Sequence, residues 1–257
     1  ADHVAAVEAM CRRCEPEGLC RDMECPLRSV SILPLVVKNP GFDPAKDFVA
    51  AAGFATFVNA FAVSGGTPAK SFEEYVQWVR TQGGGKGAVG VPAPASVPEF
   101  LVKVIAQRYQ LDLVAAPYRG SAPMMADMLG NQIAAGVASV PDFIENHKAG
   151  KVRVVGVLGD KRQAAMPDVP TFAELGYPKV TGMGFNALYA PAGTPAAAIT
   201  TWNQALAKVM AMADVKDKLT TMGFIPVGKS TQELIDRQNE SAKKWEPVIK
   251  ASGFVAD

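Results

Sequence analysis

The sequence predicts an α/β protein with a mostly parallel sheet. Short apolar stretches rich in β-branched residues alternate along the chain with stretches of helical periodicity, and this alternation is typical of βαβ units. Several helix starts are also marked by residues that cap free N–H groups. In a sheet of this kind, ligands bind outside the carboxyl ends of the strands, where loops lead into helices.

Six stretches are predicted as buried strands, because apolar and β-branched residues run together in each of them. They are Phe54–Val63, Ala88–Val91, Leu111–Ala115, Ile133–Ala138, Val152–Leu158 and Phe185–Tyr189. Between the strands, apolar residues three or four positions apart mark helix faces, as in Phe72–Val79 and Phe100–Ile105.

Helix starts are marked by a hydroxyl residue followed three positions later by a glutamate, the spacing of a capping box. The four pairs are Ser71/Glu74, Ser96/Glu99, Thr171/Glu174 and Ser230/Glu233. Toward the end of the chain, Pro195–Met212 and Ser230–Ala251 predict two long helices. A short helix and a turn around Gly223–Gly228 are expected to join them.

Composition excludes several classes of protein. The 257 residues are 49% apolar and 20% charged, which is ordinary for a globular chain and too apolar for a disordered one. The 26 basic and 25 acidic residues give a net charge of +1, so no nucleic-acid partner is indicated. Because no apolar run approaches the roughly 20 residues of a membrane span, we expect a soluble protein that binds a small molecule.

All four cysteines lie close to the start of the sequence, at Cys11, Cys14, Cys20 and Cys25. Disulfides in an oxidising compartment, a zinc site whose spacing fits only in part, and four free thiols all remain open. The stretch Ala1–Val7 lacks the basic and apolar parts of a signal peptide. A mature exported chain from which the signal had been cleaved would look the same.

Motifs for catalysis are sparse. The stretch Gly223–Ser230 matches a phosphate-binding loop by its letters, but Pro226 lacks an N–H that phosphate would need, so a turn with Ser230 as a helix cap is favoured. The only histidines are His3 and His147, and no zinc-peptidase, hydrolase or dinucleotide motif occurs. The sequence therefore indicates no enzyme, no metal and no cofactor.

Three predicted strands end in loops of small residues that lead into helices. The segments are Val89–Glu99, Ala116–Pro123 and Ala138–Pro141. Free N–H groups at helix starts favour anions, and Arg119 could bind a carboxylate through two hydrogen bonds. Each loop alone is also typical of an ordinary βα turn. Together they are expected to meet at one edge of the sheet and form a cleft.

From about Ser29 onward the chain resembles the Bug-type receptors, the extracytoplasmic solute-binding proteins of tripartite tricarboxylate transporters. An ordered series of motifs carries this resemblance: Phe42–Phe48, Pro117–Pro123, Leu129–Gln132, Lys148–Lys151, Met166–Glu174 and Ala190–Pro195. The series is far more specific than any one of these motifs.

The resemblance implies a two-lobe periplasmic-binding-protein fold of type II, a Venus flytrap, with mixed, mostly parallel sheets and helices on both faces. Lobe 1 would hold residues 1–69 and 185–257, and lobe 2 residues 70–184. The implied function is a periplasmic, monomeric receptor that captures a small carboxylate or an amino acid for membrane transporter subunits. The lobes would close on the ligand by a hinge motion.

The resemblance and the strand-end loops together give the predicted ligand-binding residues. These are Ser29, Ser31, Pro94, Ala95, Ser96, Val97, Tyr118, Arg119, Gly120, Ser139, Phe185 and Asn186. In the family, backbone N–H groups and bridging waters hold the carboxylates more than charged side chains do.

Two departures from the family pattern bear on function. Residues 1–28 match none of the strand, carboxylate-binding loop and helix with which members usually open, and this motivates an alternative, a receptor-derived sensory or protein-interaction module without tight ligand binding. Ala134 and Ala138 stand where relatives often carry acidic residues. This second departure favours a carboxylic acid without an amino group.

Overall fold

The computed structural model describes residues 24–26, 41, 43–82, 85–94, 96–177, 183–229 and 231–251. They form two compact units. The first unit holds the described residues up to Thr56 and from Gly184 onward, and the second holds Phe57–Met183.

Eight strands and eight helices are present in the described part of the chain. The strands are β1 (Glu24–Pro26), β2 (Phe48–Ser64), β3 (Lys86–Val91), β4 (Asp112–Pro117), β5 (Ala135–Ser139), β6 (Val152–Val157), β7 (Met183–Pro191) and β8 (Ile225–Lys229). The helices are α1 (Pro44–Asp47), α2 (Phe72–Gln82), α3 (Val97–Tyr109), α4 (Ser121–Leu129), α5 (Val140–Lys148), α6 (Ala196–Ala211), α7 (Ala213–Thr221) and α8 (Thr231–Ala251). None of these helices combines the length and apolar character that crossing a membrane requires.

The second unit is built on a mixed sheet in the order β4–β3–β5–β2–β6. Strand β3 pairs in parallel with both β4 and β5, whereas β2 pairs antiparallel with β5 and β6. The α/β class with a mixed sheet is therefore confirmed. The sheet is not mostly parallel as predicted, because β2 runs antiparallel to both β5 and β6 and only the two pairs of β3 are parallel.

Strand β2 is longer than predicted and belongs to both units. Its 17 residues are nearly all buried, and the change of unit falls between Thr56 and Phe57. We expected that change at residues 69/70 and the return at 184/185. The difference arises because the second half of β2 pairs with β5 and β6, so these residues belong to the sheet of the second unit.

The core of the second unit lies between the sheet and its helices. A buried cluster joins β2, β5 and β6 to α4 and α5, with Met124, Met128, Val140 and Phe143 fully inaccessible to solvent. A group of aromatic rings forms a further part of the core, where Phe72 packs edge-on against Phe172 with ring centroids 5.2 Å apart. This packing fixes the helices whose N-termini form the candidate site.

The first unit has the strand order β1–β7–β2–β8 and carries helices α6, α7 and α8. Strand β8 pairs antiparallel with β2, with Thr56 opposite Ile225. From α8, the side chains of Leu234, Trp245 and Ile249 are buried. The predicted helices at Pro195–Met212 and Ser230–Ala251 agree with α6 and α8 to within one residue.

Two local predictions were wrong. The segment Gly223–Gly228 was expected to be only a turn, but its last four residues lie in β8 because β2 offers an edge to pair with. The pair Thr171/Glu174 makes the expected reciprocal hydrogen bonds, yet it closes a turn and begins no helix. Ser230, the expected cap, lies outside the described residues.

Candidate functional site

The three predicted strand-end loops meet at one edge of the second unit's sheet. Parallel pairing of β3 with β4 and β5 brings their carboxyl ends together. Two backbone hydrogen bonds join the loops, because the N–H of Tyr118 donates to the carbonyl of Val91 and the N–H of Gly120 to the carbonyl of Pro92, each over 2.8 Å. We define the strand-end site as the described residues within 92–97, 117–122 and 139–142.

The loop after β3 uses its serine to hold its own shape. The Ser96 hydroxyl donates to the carbonyl of Ala93 over 2.7 Å and accepts from the N–H of Glu99 over 3.4 Å. Ser96 and Val97 are buried, whereas Pro94 is exposed, and Ala95 lies outside the described residues. Ser96 therefore caps α3, and among the described positions of this loop Pro94 is exposed.

The loop after β4 leaves backbone donors without partners. Gly120 precedes α4 with a φ of +95° and no side-chain cap, and no atom lies within 4 Å of the position a Cβ would take there. The N–H groups of Ser121 and Ala122 lie in the first turn of α4, where no carbonyl of the helix can accept them. No other acceptor for them occurs among the described residues. Such donors, aligned with the helix dipole, suit an anion.

Tyr118 and Arg119 flank these donors differently. The Tyr118 hydroxyl donates to Asp127 over 2.7 Å, and burial together with this carboxylate raises the pKa of Tyr118 to about 12. Tyr118 also packs against the core of the second unit. Because its hydroxyl already donates to Asp127, the same proton is not available to a ligand. Arg119 is exposed and places a cation next to Gly120 in the loop.

Asp142 connects the remaining two loops. Its carboxylate accepts the Ser139 N–H over 3.0 Å, the Ser139 hydroxyl over 2.5 Å and the Ser121 hydroxyl over 2.6 Å. The N-termini of α4 and α5 are thereby joined through one carboxylate. Ser121, Ala122 and Asp142 are not among the predicted ligand-binding residues, although the Ser139-x-x-Asp142 spacing is a variant of the capping box.

Two glycines allow α4 to lie close to the sheet. Gly90 of β3 and Gly136 of β5 are register partners. A Cβ on Gly136 would lie 2.7 Å from the Met128 Sδ, and one on Gly90 would lie 2.7 Å from the Met124 Cγ. The absence of both Cβ atoms sets the depth at which α4, and with it the free N–H groups, sits at the sheet edge.

The structure gathers seven of the predicted ligand-binding residues in the second unit: Pro94, Ser96, Val97, Tyr118, Arg119, Gly120 and Ser139. Phe185 and Asn186 lie on β7 in the first unit, where Phe185 is buried and Asn186 half-buried. Ser29 and Ser31 lie outside the described residues. The binding role of all of these residues stays a prediction.

Metal ligands are not grouped in the described part of the chain, where no cluster of three or more His, Cys, Asp or Glu side chains could hold an ion. Of the four cysteines, only Cys25 lies in a described segment, on β1 opposite Ala187. The open alternatives for the cysteines are not decided by these residues.

Comparison with known proteins identifies a family. Residues 1–254 match the model of the tripartite tricarboxylate transporter family receptor, TctC. Protein BugT of Bordetella pertussis is 27% identical over 169 residues, which cover 66% of this chain and 52% of BugT. The chain spans 44% to 64% of the lengths of three such curated relatives.

Solved structures share the fold. A structure described as that of a periplasmic transporter aligns with a TM-score of 0.85 at 27% identity, covering 99% of this chain and 84% of the other. A protein of R. palustris solved with adipate aligns with a TM-score of 0.83 at 26% identity, covering 90% of this chain and 77% of the other. The predicted periplasmic-binding-protein fold and the resemblance to Bug-type receptors are confirmed.

Proposed function

Because the chain belongs to the tripartite tricarboxylate transporter receptors, we propose that it is a periplasmic receptor that binds a small organic acid at the strand-end site. The ligand passes chemically unchanged to membrane transporter subunits, and the receptor acts as a monomer.

One observation carries this proposal: the unpartnered N–H groups of Ser121 and Ala122 at the mouth of three converging loops. A carboxylate placed there accepts both hydrogen bonds and gains from the dipole of α4. Gly120 has no side chain to block its approach. Arg119, exposed beside these donors, adds long-range attraction for acids.

The similar protein solved with adipate supports a carboxylate as the ligand class. Adipate is a flexible dicarboxylate, and backbone donors suit such a ligand because they recognise the carboxylate without requiring a particular side chain. We therefore take the ligand of this chain to be a small mono- or dicarboxylic acid.

The test is a thermal-shift screen of the full chain against dicarboxylates, tricarboxylates, aromatic acids and amino acids. At a ligand concentration 100-fold above Kd, binding adds about 2.7 kcal/mol to the free energy of unfolding. If no acid raises the melting temperature, the proposed function is wrong.

A matched pair of proline variants separates the site from the rest of the molecule. Ala122→Pro removes one free N–H from the second residue of α4, and Ala197→Pro makes the same change at the second residue of α6. Proline is tolerated in the first turn of a helix, so both variants should fold. We expect Ala122→Pro to weaken binding tenfold or more and Ala197→Pro to leave it unchanged. Equal affinities in both variants would show that the acid binds elsewhere.

A second candidate function, a protein-interaction module, is favoured by the surface of the first unit. Val209 of α6 is exposed, as are Met212 and Met222, which flank α7. A cavity of about 680 Å³ is lined by residues of α6 and by Lys216 of α7. Its lining includes Ala52, Leu206, Ala207, Met210 and Ala211. Exposed apolar patches commonly mark interaction surfaces. Concentration-dependent association in sedimentation, without a thermal shift by any acid, would favour this candidate.

A further inference from the structure

The cavity beside α6 lies entirely in the first unit, whereas the strand-end site lies in the second. Strands β2 and β8 and helices α6, α7 and α8 all contribute to its wall. Its volume of about 680 Å³ falls within the range of about 300–1,000 Å³ that is typical of small-molecule sites. The cavity is therefore large enough to hold a ligand of its own.

Most of the cavity wall is apolar and made of small residues. Leu206 and Met210 supply the longer apolar side chains, and the rest of the described wall is alanine and glycine apart from three polar residues. The register between β2 and β8 shifts after Gly53, and no atom lies within 4 Å of the position a Cβ would take at Gly228. No aromatic ring is present in the described lining to stack on a flat ligand. This wall suits a flexible aliphatic chain.

Helix α6 leaves its side of the cavity uncovered by the described chain. Only Met210 of its 16 residues is buried, although Leu206, Ala207 and Ala211 also line the cavity. Removing apolar surface from contact with water is favourable. A hydrocarbon chain that covers this side of α6 is therefore expected to gain binding free energy.

The polar part of the lining carries one charge, that of Lys216, beside the uncharged side chains of Asn203 and Gln232. No described carboxylate forms an ion pair with Lys216. Gln232 donates a side-chain N–H to Asp236 over 2.9 Å, so the carboxylate next to it already has a partner. A lone ammonium group at one place in an apolar cavity favours a ligand with one anionic end.

We propose that this cavity is a second binding site, which takes an aliphatic monocarboxylic acid with its alkyl chain along α6 and its carboxylate beside Lys216. Such a ligand differs from the small acids proposed for the strand-end site, because the hydrocarbon chain supplies most of its affinity. The two sites lie in different units, so each can be altered without changing the other.

The experiment is isothermal titration of the full chain with hexanoate, octanoate and decanoate, each below its micelle concentration. A buried CH₂ group contributes about 0.8 kcal/mol, which corresponds to an affinity increase of about fourfold. We expect decanoate to bind at least tenfold more tightly than hexanoate, with one molecule per chain. Equal affinities along the series, or many molecules of decanoate per chain, would overturn the proposal.

A matched pair of variants on α6 locates the bound chain. Ala207→Trp fills part of the cavity. Ala205→Trp makes the same change at an exposed position of α6 that does not line it, about 200° around the helix axis. We expect Ala207→Trp to weaken decanoate binding tenfold or more and Ala205→Trp to change it less than twofold. Ala122→Pro at the strand-end site should leave decanoate binding unchanged.

A second pair tests the carboxylate. Lys216→Gln should weaken decanoate binding about threefold, as expected for an exposed ion pair, and should not affect decanol. Lys218→Gln removes an exposed charge of α7 that does not line the cavity and should change neither. A loss of decanoate binding in Ala122→Pro with none in Ala207→Trp would place the acid at the strand-end site, so the second site would be wrong and the proposed function would stand. If decanoate does not bind and Ala207→Trp abolishes association in sedimentation, the cavity is a protein interface and the second site is also wrong.

Discussion

Helices α3 and α6 show how differently the two units use apolar residues. In the second unit, α3 has 13 residues and buries Val97, Pro98, Phe100, Leu101, Val102 and Ile105. In the first unit, α6 has 16 residues, most of them apolar, and buries only Met210. From composition alone, α6 would be expected to bury more apolar residues than α3. Burial is therefore decided by what packs against a helix, and in the first unit little of the described chain packs against α6.

The neighbouring helix extends the contrast. Helix α7 has no buried residue at all, and Met212 and Met222 at its two ends are 49% and 47% exposed. Local stability follows the number of buried apolar contacts. We therefore expect the second unit to resist perturbation through its core and the first unit to depend on helix propensity and capping.

The largest effect should come from an aromatic residue in the second unit. Phe172 is fully buried and packs edge-on against Phe72 and Tyr177, with ring centroids 5.2 and 5.6 Å away. Phe172→Ala should lower the free energy of unfolding by about 3–5 kcal/mol, because it leaves a cavity. The control is Val209→Ala on α6. The Val209 side chain is 43% exposed, so this variant should change the free energy of unfolding by about 0.5 kcal/mol or less. Similar urea midpoints for both variants would contradict the contrast between the units.

Strand glycines provide the next comparison. Gly136→Ala places a Cβ against the sulfur atoms of Met124 and Met128, and we expect it to cost about 1–3 kcal/mol by overpacking. Gly228→Ala makes the same change in β8 of the first unit, where nothing lies within 4 Å, so it should be neutral or slightly stabilising. Because Gly136→Ala pushes α4 outward, it should also weaken acid binding. A variant that loses stability and keeps full affinity would show that the depth of α4 is unimportant to the site.

Substitutions at helix N-caps should change stability in opposite directions in the two units. Ser71 accepts the N–H of Glu74 over 3.1 Å at the start of α2, so Ser71→Ala should destabilise the protein by about 1 kcal/mol. At the start of α7, Met212 has an extended backbone and no side-chain cap. Met212→Ser supplies a cap and removes an exposed apolar side chain, and it should stabilise the first unit by up to about 1 kcal/mol. Thermal melting of both variants checks the signs, and a destabilised Met212→Ser would show that this methionine is covered in solution.

The sequence predicted most strands and helices, because the periodicity of apolar residues that marks them is a local property of the chain. Strand β2 shows the limit of such prediction. Its first residues, 48–53, are rich in alanine, which has little strand propensity, yet they are part of the strand. Strand β2 lies between other strands of the sheet, with β7 as a neighbour and β8 paired at Gly53, Ala55 and Thr56. Its antiparallel pairing with β5 and β6 is likewise tertiary and leaves no local signal.

The candidate site likewise has a part that the sequence predicted and a part that it did not. Loops of small residues between strands and helices predicted where a ligand approaches the backbone, and parallel pairing brings those loops together. The direction of the hydroxyl protons could not be predicted, because it depends on a contact between Ser121 and Asp142 across 21 residues. Chemistry that arises from such distant contacts is visible only in the folded molecule.

The smallest predicted effect is a dependence on pH that acts through the second unit. His147 is the only histidine among the described residues, and its Nδ1 accepts the N–H of Val154 over 3.2 Å. Burial, and then the positive charge of Arg153, lower the pKa of His147 below the ordinary value of 6.5. As the pH falls past 6.5, the unfolded chain therefore takes up this proton before the folded chain does, and stability decreases.

This decrease should begin near neutral pH and level off once His147 is protonated in the folded state as well. Protonation puts a hydrogen on Nδ1, so the bond to Val154 is then lost and α5 is held less firmly to β6. Urea unfolding between pH 7.5 and 5.5 measures the slope, and His147→Gln should reduce it. Glu174, whose pKa is lowered to about 2 mainly by its hydrogen bond with Arg162, loses its contribution only as the pH falls below 4.5, so its titration does not overlap this window. A slope that His147→Gln leaves unchanged would assign the dependence to groups other than His147.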